Sequence, residues 1–260
     1  MEKKIMKQKR SRNRQSDTVF DIAQTGKTKY DHNTAQAADV RPPVRKKQKH
    51  TGSEPGSKEA VGLRIVGGKF RGRKLQYIGD NRVRPMKDRV REAVFNLVGP
   101  AVKGMHAVDL FGGTGALAIE AVSRGAVSAT ILEIHLPTAA LLKQNLESLD
   151  LLPQCALQKT DAFFWVKNKA EHPAAATPWI VFCSPPYSFY VDRQPETEEM
   201  LGFMMAAAPS GSVFVIESDD RFDICRLPGL SEMTNIEDIR IRHYPPAVIA
   251  VFDKKHTGGG

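Results

Sequence analysis

Residues 107–115 read Ala-Val-Asp-Leu-Phe-Gly-Gly-Thr-Gly, and residues 129–133 read Ala-Thr-Ile-Leu-Glu. An apolar strand ends at Asp109, a glycine-rich turn follows, and Ala116–Val122 reads as helix. A second apolar strand then ends at Glu133, 24 residues after Asp109. This is the layout of a nucleotide-type cofactor cradle. Glycines let the backbone approach a ligand, the helix N-terminus offers free N–H groups, and an acid at the tip of the next strand accepts from ribose hydroxyls. The cradle residues are Asp109, Phe111, Gly112, Gly113, Gly115 and Glu133. Two alternatives stay open on this stretch alone. Gly113-Thr-Gly115-Ala-Leu-Ala118 also fits the dinucleotide pattern G-x-G-x-x-A, and a short glycine-rich turn also joins strand to helix where no ligand binds.

Outward from this stretch the pattern alternates. Strands are expected at 106–110, 128–133, 154–158, 179–183 and 211–217, and helices at 115–124, 136–149, 160–170 and 193–208. Two last strands are expected at 235–243 and 247–253, joined by Tyr244-Pro-Pro-Ala. Strand–helix alternation predicts an α/β fold with a parallel, right-handed doubly wound sheet, and the closing pair predicts an antiparallel end to it. In such a sheet ligands sit beyond the carboxyl ends of the strands. Asp109, Glu133, Asp161 and Ser184 all fall at or just past such ends, so they can converge on one crevice.

A second motif, Cys183-Ser184-Pro185-Pro186-Tyr187, closes the apolar run Trp179–Phe182. Proline fixes this turn. It presents one short polar side chain, one backbone carbonyl and one aromatic ring. An exocyclic base amine needs that set when it attacks a methyl sulfonium, because its lone pair is delocalised into the base. Ser184 Oγ and the Pro185 carbonyl can accept its N–H protons and hold the nitrogen in a more nucleophilic geometry. Tyr187 can stack on the base once it is turned out of its helix. The methyl donor is already activated, so alignment carries much of the rate and no metal is required. In isolation the same residues would make a proline-rich surface turn.

On the N-terminal side, residues 63–78 are expected to form a small β-hairpin with Gly67-Gly68 as a two-residue turn. Arg64, Lys69, Arg71, Arg73 and Lys74 decorate it, with Phe70 and Tyr77 interleaved. Basic and aromatic residues on a compact β unit suit RNA phosphate contact and base stacking. A helix is expected over 84–99, with Pro85 in its first turn and Gly99-Pro100 at its end. Val90, Val94, Leu97 and Val98 make its buried stripe, and Arg84, Arg89 and Arg91 lie off it, free to face ligand or solvent. Residues 1–60 are polar and aromatic-poor, with basic blocks at Lys3–Arg14 and Arg45–Lys49, and read as a disordered basic tail ahead of a single domain at 61–260.

Charge is unevenly placed in this chain of 260 residues with net charge +9. Residues 1–60 hold 15 Lys/Arg against 7 Asp/Glu, and residues 64–91 hold ten against two. Two basic segments around a balanced core point to a polyanionic partner. Three scattered cysteines, Cys155, Cys183 and Cys225, exclude a disulfide framework or a zinc site. The chain has no apolar run of transmembrane length and no secretory h-region at its N-terminus, so it is expected to be cytoplasmic. Nothing in the pattern demands more than a monomer.

The segment from Leu63 to about Lys254 resembles the RsmD-type family, which methylates N2 of a guanine in bacterial small-subunit (16S) ribosomal RNA. Several blocks carry the resemblance: Arg64-Ile-Val-Gly-Gly-Lys-Phe-Arg-Gly-Arg-Lys-Leu75, Arg84-Pro85 with Asp88–Asn96, Asp109-Leu-Phe-Gly-Gly-Thr-Gly-Ala-Leu117, Glu120–Ala126 and Ser184-Pro-Pro-Tyr187. It implies a Rossmann-like S-adenosylmethionine-dependent methyltransferase fold with a small N-terminal β-hairpin. It implies that the Asp109–Gly115 loop contacts the methionine part of S-adenosyl-L-methionine, Glu133 the ribose, and Asp161 with Ala162 the adenine. Ser184, Pro185, Pro186 and Tyr187 would hold the target guanine, and small-subunit rRNA or the assembling subunit would be the partner. The sequence departs from the family at Ser184, where the family usually has Asp. A hydroxyl is a weaker acceptor than a carboxylate and is no general base near neutral pH. Serine occurs there in amino-methyltransferases that act on cytosine N4 in DNA. His135 and Met86-Lys87 are further departures. The competing readings are another exocyclic-amine methyltransferase on rRNA or DNA, an NAD-dependent oxidoreductase, and a non-catalytic RNA-binding or ribosome assembly factor on the same fold.

Overall fold

Short apolar strands separated by helices demand a sheet covered on both faces. The computed structural model describes residues 62–77, 79 and 85–255, all within one unit, Ser53–Gly260. In chain order the elements are α1 (Asp88–Val98), β1 (His106–Asp109), α2 (Ala116–Ser123), β2 (Ser128–Leu132), α3 (Leu136–Glu147), β3 (Cys155–Gln158) and α4 (Ala162–Trp165). β4 (Trp179–Cys183), α5 (Phe189–Asp192), α6 (Gln194–Ala207), β5 (Val213–Ser218), α7 (Leu230–Met233), β6 (Arg240–Tyr244) and β7 (Ala247–Asp253) follow. The basic tail 1–60 and Arg84 lie outside the described residues.

The seven strands run in the order β3-β2-β1-β4-β5-β7-β6. The first five are mutually parallel, and β7 is antiparallel to both its neighbours. The sheet grows one way from β1 to β3 and the other way from β4 onward. Its reversal point lies between β1 and β4, the place where ligands bind in open sheets of this kind. The expected antiparallel end is present, and the last strand is inserted between β5 and β6 rather than added outside them.

Side chains alternate across the sheet with period two. Ile180 and Phe182 of β4 pack into a layer with Val90, Val94 and Phe95 of α1, the apolar residues of α2, and Leu142 and Leu146 of α3. Val181 and Cys183 point the other way, into a layer with Trp165 of α4, Met200 and Met204 of α6, and Leu230 of α7. Every residue of α2 is buried, because the sheet covers one side of it and the N-terminal segment the other. The cysteines are free, and burial pushes the thiols of Cys155 and Cys183 up to about 12.

Residues 63–75 do fold back on themselves. Leu75 N donates to Leu63 O (2.8 Å) and Ile65 N to Arg73 O (2.9 Å), around one antiparallel bridge, Arg64↔Lys74. Gly67-Gly68 is not a two-residue turn. Gly68–Phe70 form a 3-10 turn, and the reversal runs on to Gly72. The end of α2 imposes this shape. Ser123 Oγ donates to Gly67 O (2.6 Å) and accepts from Phe70 N (2.9 Å). A Cβ on Gly68, at φ +73°, would stand 1.9 Å from the Ser123 carbonyl oxygen.

α1 begins at Asp88, three residues beyond Pro85, because Lys87 is extended. Its buried face is Val90, Arg91, Val94, Phe95 and Val98, with Leu97 half-buried. The expectation that Arg91 faces ligand or solvent is therefore corrected. Its side chain has no exposure. It donates to Met86 O (2.9 Å) and to Arg64 O, and pairs with Asp88 (3.0 Å) and Glu120 (3.5 Å). The helix expected over 160–170 is only Ala162–Trp165, followed by a separate 3-10 turn at Lys169–Glu171. The strand expected from 235 begins at Arg240, after a 3-10 turn at Ile236–Asp238.

Candidate functional site

The glycine-rich turn leaves β1 at Asp109 and enters α2 at Ala116. Gly112 N donates to Leu132 O (2.7 Å) and Gly115 N to Gly112 O (2.7 Å), so the turn is pinned to the end of β2. Gly112 has no room for a side chain. An added Cβ would lie 2.4 Å from Ile131 Cγ2 and 3.1 Å from Leu132 O. Glu133 bonds this turn directly, with Oε2 accepting from Gly113 N (2.9 Å) and Oε1 from His135 N (2.7 Å). The acid after β2 and the glycines after β1 are thus one assembly.

Asp109 lies under the turn and is 1% exposed. Burial raises its carboxyl from 3.8 to about 7; N–H groups of Phe111 and Ala118 oppose the shift, and the charge of Glu133 adds to it. Its Oδ1 has no hydrogen-bond partner. A buried carboxylate oxygen left unbonded at a glycine cradle is what a ligand's cationic or hydroxyl group would satisfy. Asp161 caps α4 by accepting from Phe163 N (2.7 Å) and fixes Ala162, 5% exposed, at the end of β3.

The Ser-Pro-Pro-Tyr turn follows β4, beside β1. It meets a residue that the sequence reading passed over. The register pairs Cys183 with Ile216, which sets Ser184 beside Glu217 of β5. Glu217 is 8% exposed. Ser184 Oγ donates to its Oε2, and Tyr187 OH to its Oε1 (2.8 Å). The buried Tyr190 OH donates to its backbone carbonyl (3.0 Å) and lies 3.9 Å from Cys183 Sγ. Burial holds the Tyr190 hydroxyl well above the usual phenol range. The only sequence signal for Glu217 is an acid at the carboxyl end of a fifth apolar strand.

Three rings link the segments that follow β1, β3 and β4. Phe111, Phe163 and Phe189 lie with centroids 5.8–6.2 Å apart, and the Arg193 guanidinium stands 3.9 Å over Phe163. Each ring is two residues past a residue already singled out: Asp109, Asp161 or Tyr187. The pattern was present in the sequence, but nothing local showed that the three meet.

The basic N-terminal segment is tied to the same turn. Gln76 N donates to Asn145 Oδ1 (2.7 Å), and Asn145 Nδ2 donates to Gln76 O and to Thr114 O (both 3.1 Å). Lys69, Arg71, Lys74 and Arg89 are exposed. Arg64 pairs with Asp88 (2.9 Å), and Arg73 donates to Ser148 O (2.9 Å). The expected RNA-facing residues among those described are thus exposed, and two of them, Arg64 and Arg73, are already engaged.

This strand order, with the glycine turn after β1, the acid after β2 and Ser-Pro-Pro-Tyr after β4, defines the S-adenosylmethionine-dependent methyltransferase fold. Residues 63–244 match the profile of the family described as Conserved hypothetical protein 95, and the chain belongs to that family. Among relatives, it is 34% identical over 142 residues to Ribosomal RNA small subunit methyltransferase D of Escherichia coli (strain K12), a match covering 55% of this chain and 65% of the relative. It is 33% identical over 128 residues to a Bacillus subtilis (strain 168) protein designated an rRNA methyltransferase, covering 48% and 67%. The matches span about two thirds of these relatives' lengths. The fold is similar to that of an Escherichia coli structure designated a methyltransferase, with TM-score 0.60 and 26% identity over 74% of this chain and 98% of that one. A Haemophilus influenzae structure designated a methylase shares the fold, with TM-score 0.55 and 23% identity over 75% and 99%.

Proposed function

We propose that this chain transfers a methyl group from S-adenosylmethionine to the exocyclic N2 amine of a guanine in small-subunit rRNA. One observation carries the reading. A glycine cradle with an unbonded buried carboxylate oxygen and a Ser-Pro-Pro-Tyr turn open side by side at the reversal point of the sheet. Family membership and the small-subunit rRNA relatives support the substrate class.

S-adenosylmethionine supplies a methyl group already activated on a positive sulfur. The chain's own residues do the rest. Asp109 to Gly115, including Phe111, Gly112 and Gly113, would hold its amino-acid end, where Gly112 allows backbone approach and Asp109 Oδ1 awaits a donor. Glu133 would hold the ribose, and Asp161 and Ala162 the adenine. Ser184 Oγ and the Pro185 carbonyl accept from the target amine and orient its lone pair. Pro185 and Pro186 keep that turn stiff. Tyr187 stacks on the turned-out base, returning ~1–3 kcal/mol of the unstacking cost. Lys69, Arg71, Lys74 and Arg89, with Arg64 and Arg73, meet the phosphates of rRNA or of the assembling subunit. The chain acts as a cytoplasmic monomer.

The test incubates the purified chain with labelled S-adenosylmethionine and small subunits or rRNA lacking this modification, then digests the product to nucleosides. N2-methylguanosine is expected. A different methylated amine would move the target, as Ser184 in place of the family's Asp allows. Cofactor and RNA binding without transfer would make the chain a binding factor instead.

A further inference from the structure

We infer that Glu217 is the acidic group of this active centre and takes, through Ser184, the proton that the target amine gives up. The inference rests on the methyltransferase reading and goes further by assigning an acid to the Ser-Pro-Pro-Tyr turn. Ser184 is the short polar side chain of the Ser-Pro-Pro-Tyr turn. A hydroxyl alone can accept a hydrogen bond but cannot keep a proton near neutral pH. The structure puts a carboxylate one bond further back. Ser184 Oγ donates to Glu217 Oε2, so its lone pairs point away from Glu217 and remain available to an amine. Tyr187 OH occupies the other oxygen at 2.8 Å and holds the carboxylate's rotamer.

Its surroundings differ from those of the other deeply buried glutamate. Glu120 is neutralised by Arg91 (3.5 Å) and Arg124 (2.9 Å). The described partners of Glu217 are the hydroxyls of Ser184 and Tyr187 on its carboxylate and that of Tyr190 on its carbonyl. Burying an acid against hydroxyls alone is costly for a structural role.

The step balances. The amine nitrogen bonds the methyl carbon as the carbon–sulfur bond breaks, with its electron pair left on sulfur. The nitrogen then carries one proton too many. That proton passes to Ser184 Oγ while the Ser184 hydroxyl proton passes to Glu217, which releases it to solvent after the product leaves. Glu217 never touches the base, so it is a positioning and proton-accepting residue that acts through Ser184.

The test uses the full chain with unmodified small-subunit rRNA and follows methyl transfer, KM for rRNA, S-adenosylhomocysteine affinity by calorimetry, and thermal unfolding. Glu217→Gln keeps the shape and removes the charge. It should lower kcat by about a hundredfold, within the usual range for general acid–base catalysis. KM and S-adenosylhomocysteine affinity should stay within about twofold, the pattern of an interaction used only in the transition state. Ser184→Asp in the parent sets two carboxylates against each other and should also lower kcat. The double variant Ser184→Asp/Glu217→Gln restores one carboxylate at the amine and should be more active than either single variant. Turnover of Glu217→Gln within about twofold of the parent, or additive losses in the double variant, would overturn the inference. A parent that binds S-adenosylhomocysteine and rRNA but transfers no methyl group would refute the transferase reading and this inference together. A parent that transfers while Glu217→Gln matches it refutes this inference alone.

Discussion

Replacing Glu120 with Gln removes one charge from a site that no solvent reaches. Glu120 and Arg91 are both 0% exposed at their side chains. The carboxylate accepts Val66 N at 2.8 Å and Arg124 Nε at 2.9 Å and faces Arg91 Nε at 3.5 Å. A carboxamide has one acceptor oxygen for this crowd of donors, so its NH₂ group must oppose either Val66 N–H or a guanidinium. Arg91 keeps Asp88 at 3.0 Å, on the solvent side, but loses its buried counter-charge. Breaking one member of a buried ion pair costs about 3–5 kcal/mol. At roughly 2–4 °C per kcal/mol for a domain of this size, Tm should fall by about 6–20 °C. The loss should be local in its first effect. The Val66 bond is one of the contacts that seat the basic segment on α2, so the Val66 and Phe70 amides should exchange with solvent faster than those of β4. Thermal unfolding followed by circular dichroism measures the first quantity, and amide hydrogen exchange the second. A Tm loss under about 2 °C, with Val66 still protected, would refute the account of Glu120 as the seat of this segment.

Three further outcomes are expected. Asp109 titrates near 7 when folded and near 3.8 when unfolded. Between those values the folded chain holds a proton that the unfolded chain has lost, so stability falls as pH rises through the window. Asp109→Asn should flatten that fall by roughly 2.5 kcal/mol between pH 5 and pH 8, read from denaturant unfolding at the two values; parallel pH profiles would contradict it. Gly112→Ala forces a Cβ to within 2.4 Å of Ile131 Cγ2. It should cost about 1–3 kcal/mol of stability and weaken S-adenosylhomocysteine binding measured by calorimetry, and unchanged affinity would show that the cradle lies elsewhere. Changing Lys69, Arg71 and Lys74 to Gln should lower the slope of log affinity for rRNA against log salt by about 0.7–0.9 per residue. An unchanged slope would remove this surface from the RNA interface.

Much of the architecture was legible because it is written in local signals. Short continuous apolar runs located β1 to β5, and glycine and proline marked the turns after β1 and β4. Asp109, Glu133 and Ser184 could be placed at strand ends with no knowledge of which strands pair. Element boundaries were less legible. The helix expected over 160–170 shrank to four residues, because the Asp161 cap starts it but the following residues belong to a separate turn. The basic segment was recognised as a reversal, yet its tip was misread. Gly67-Gly68 signals a tight turn in isolation, whereas the end of α2 holds Gly67 extended and Gly68 opens a 3-10 turn.

The residues that sequence reasoning missed share one property: their environment is supplied by distant parts of the chain. Arg91 reads as a surface cation because nothing near it in sequence predicts burial. It lies inside because Glu120, Met86 O and Arg64 O surround it. Glu217 reads as one more acid at a strand end. It becomes a partner of Ser184, 33 residues away, only through the β4–β5 register. The place of β7, between β5 and β6, follows likewise from which sheet edge the closing hairpin meets. Turn chemistry and apolar runs are properties of neighbours along the chain, so the sequence by itself determined the fold class and set the glycine turn and the Ser-Pro-Pro-Tyr turn at strand ends. Strand register and burial depend on what packs across space, so only the tertiary structure decided which acid stands behind the serine and which arginine is buried.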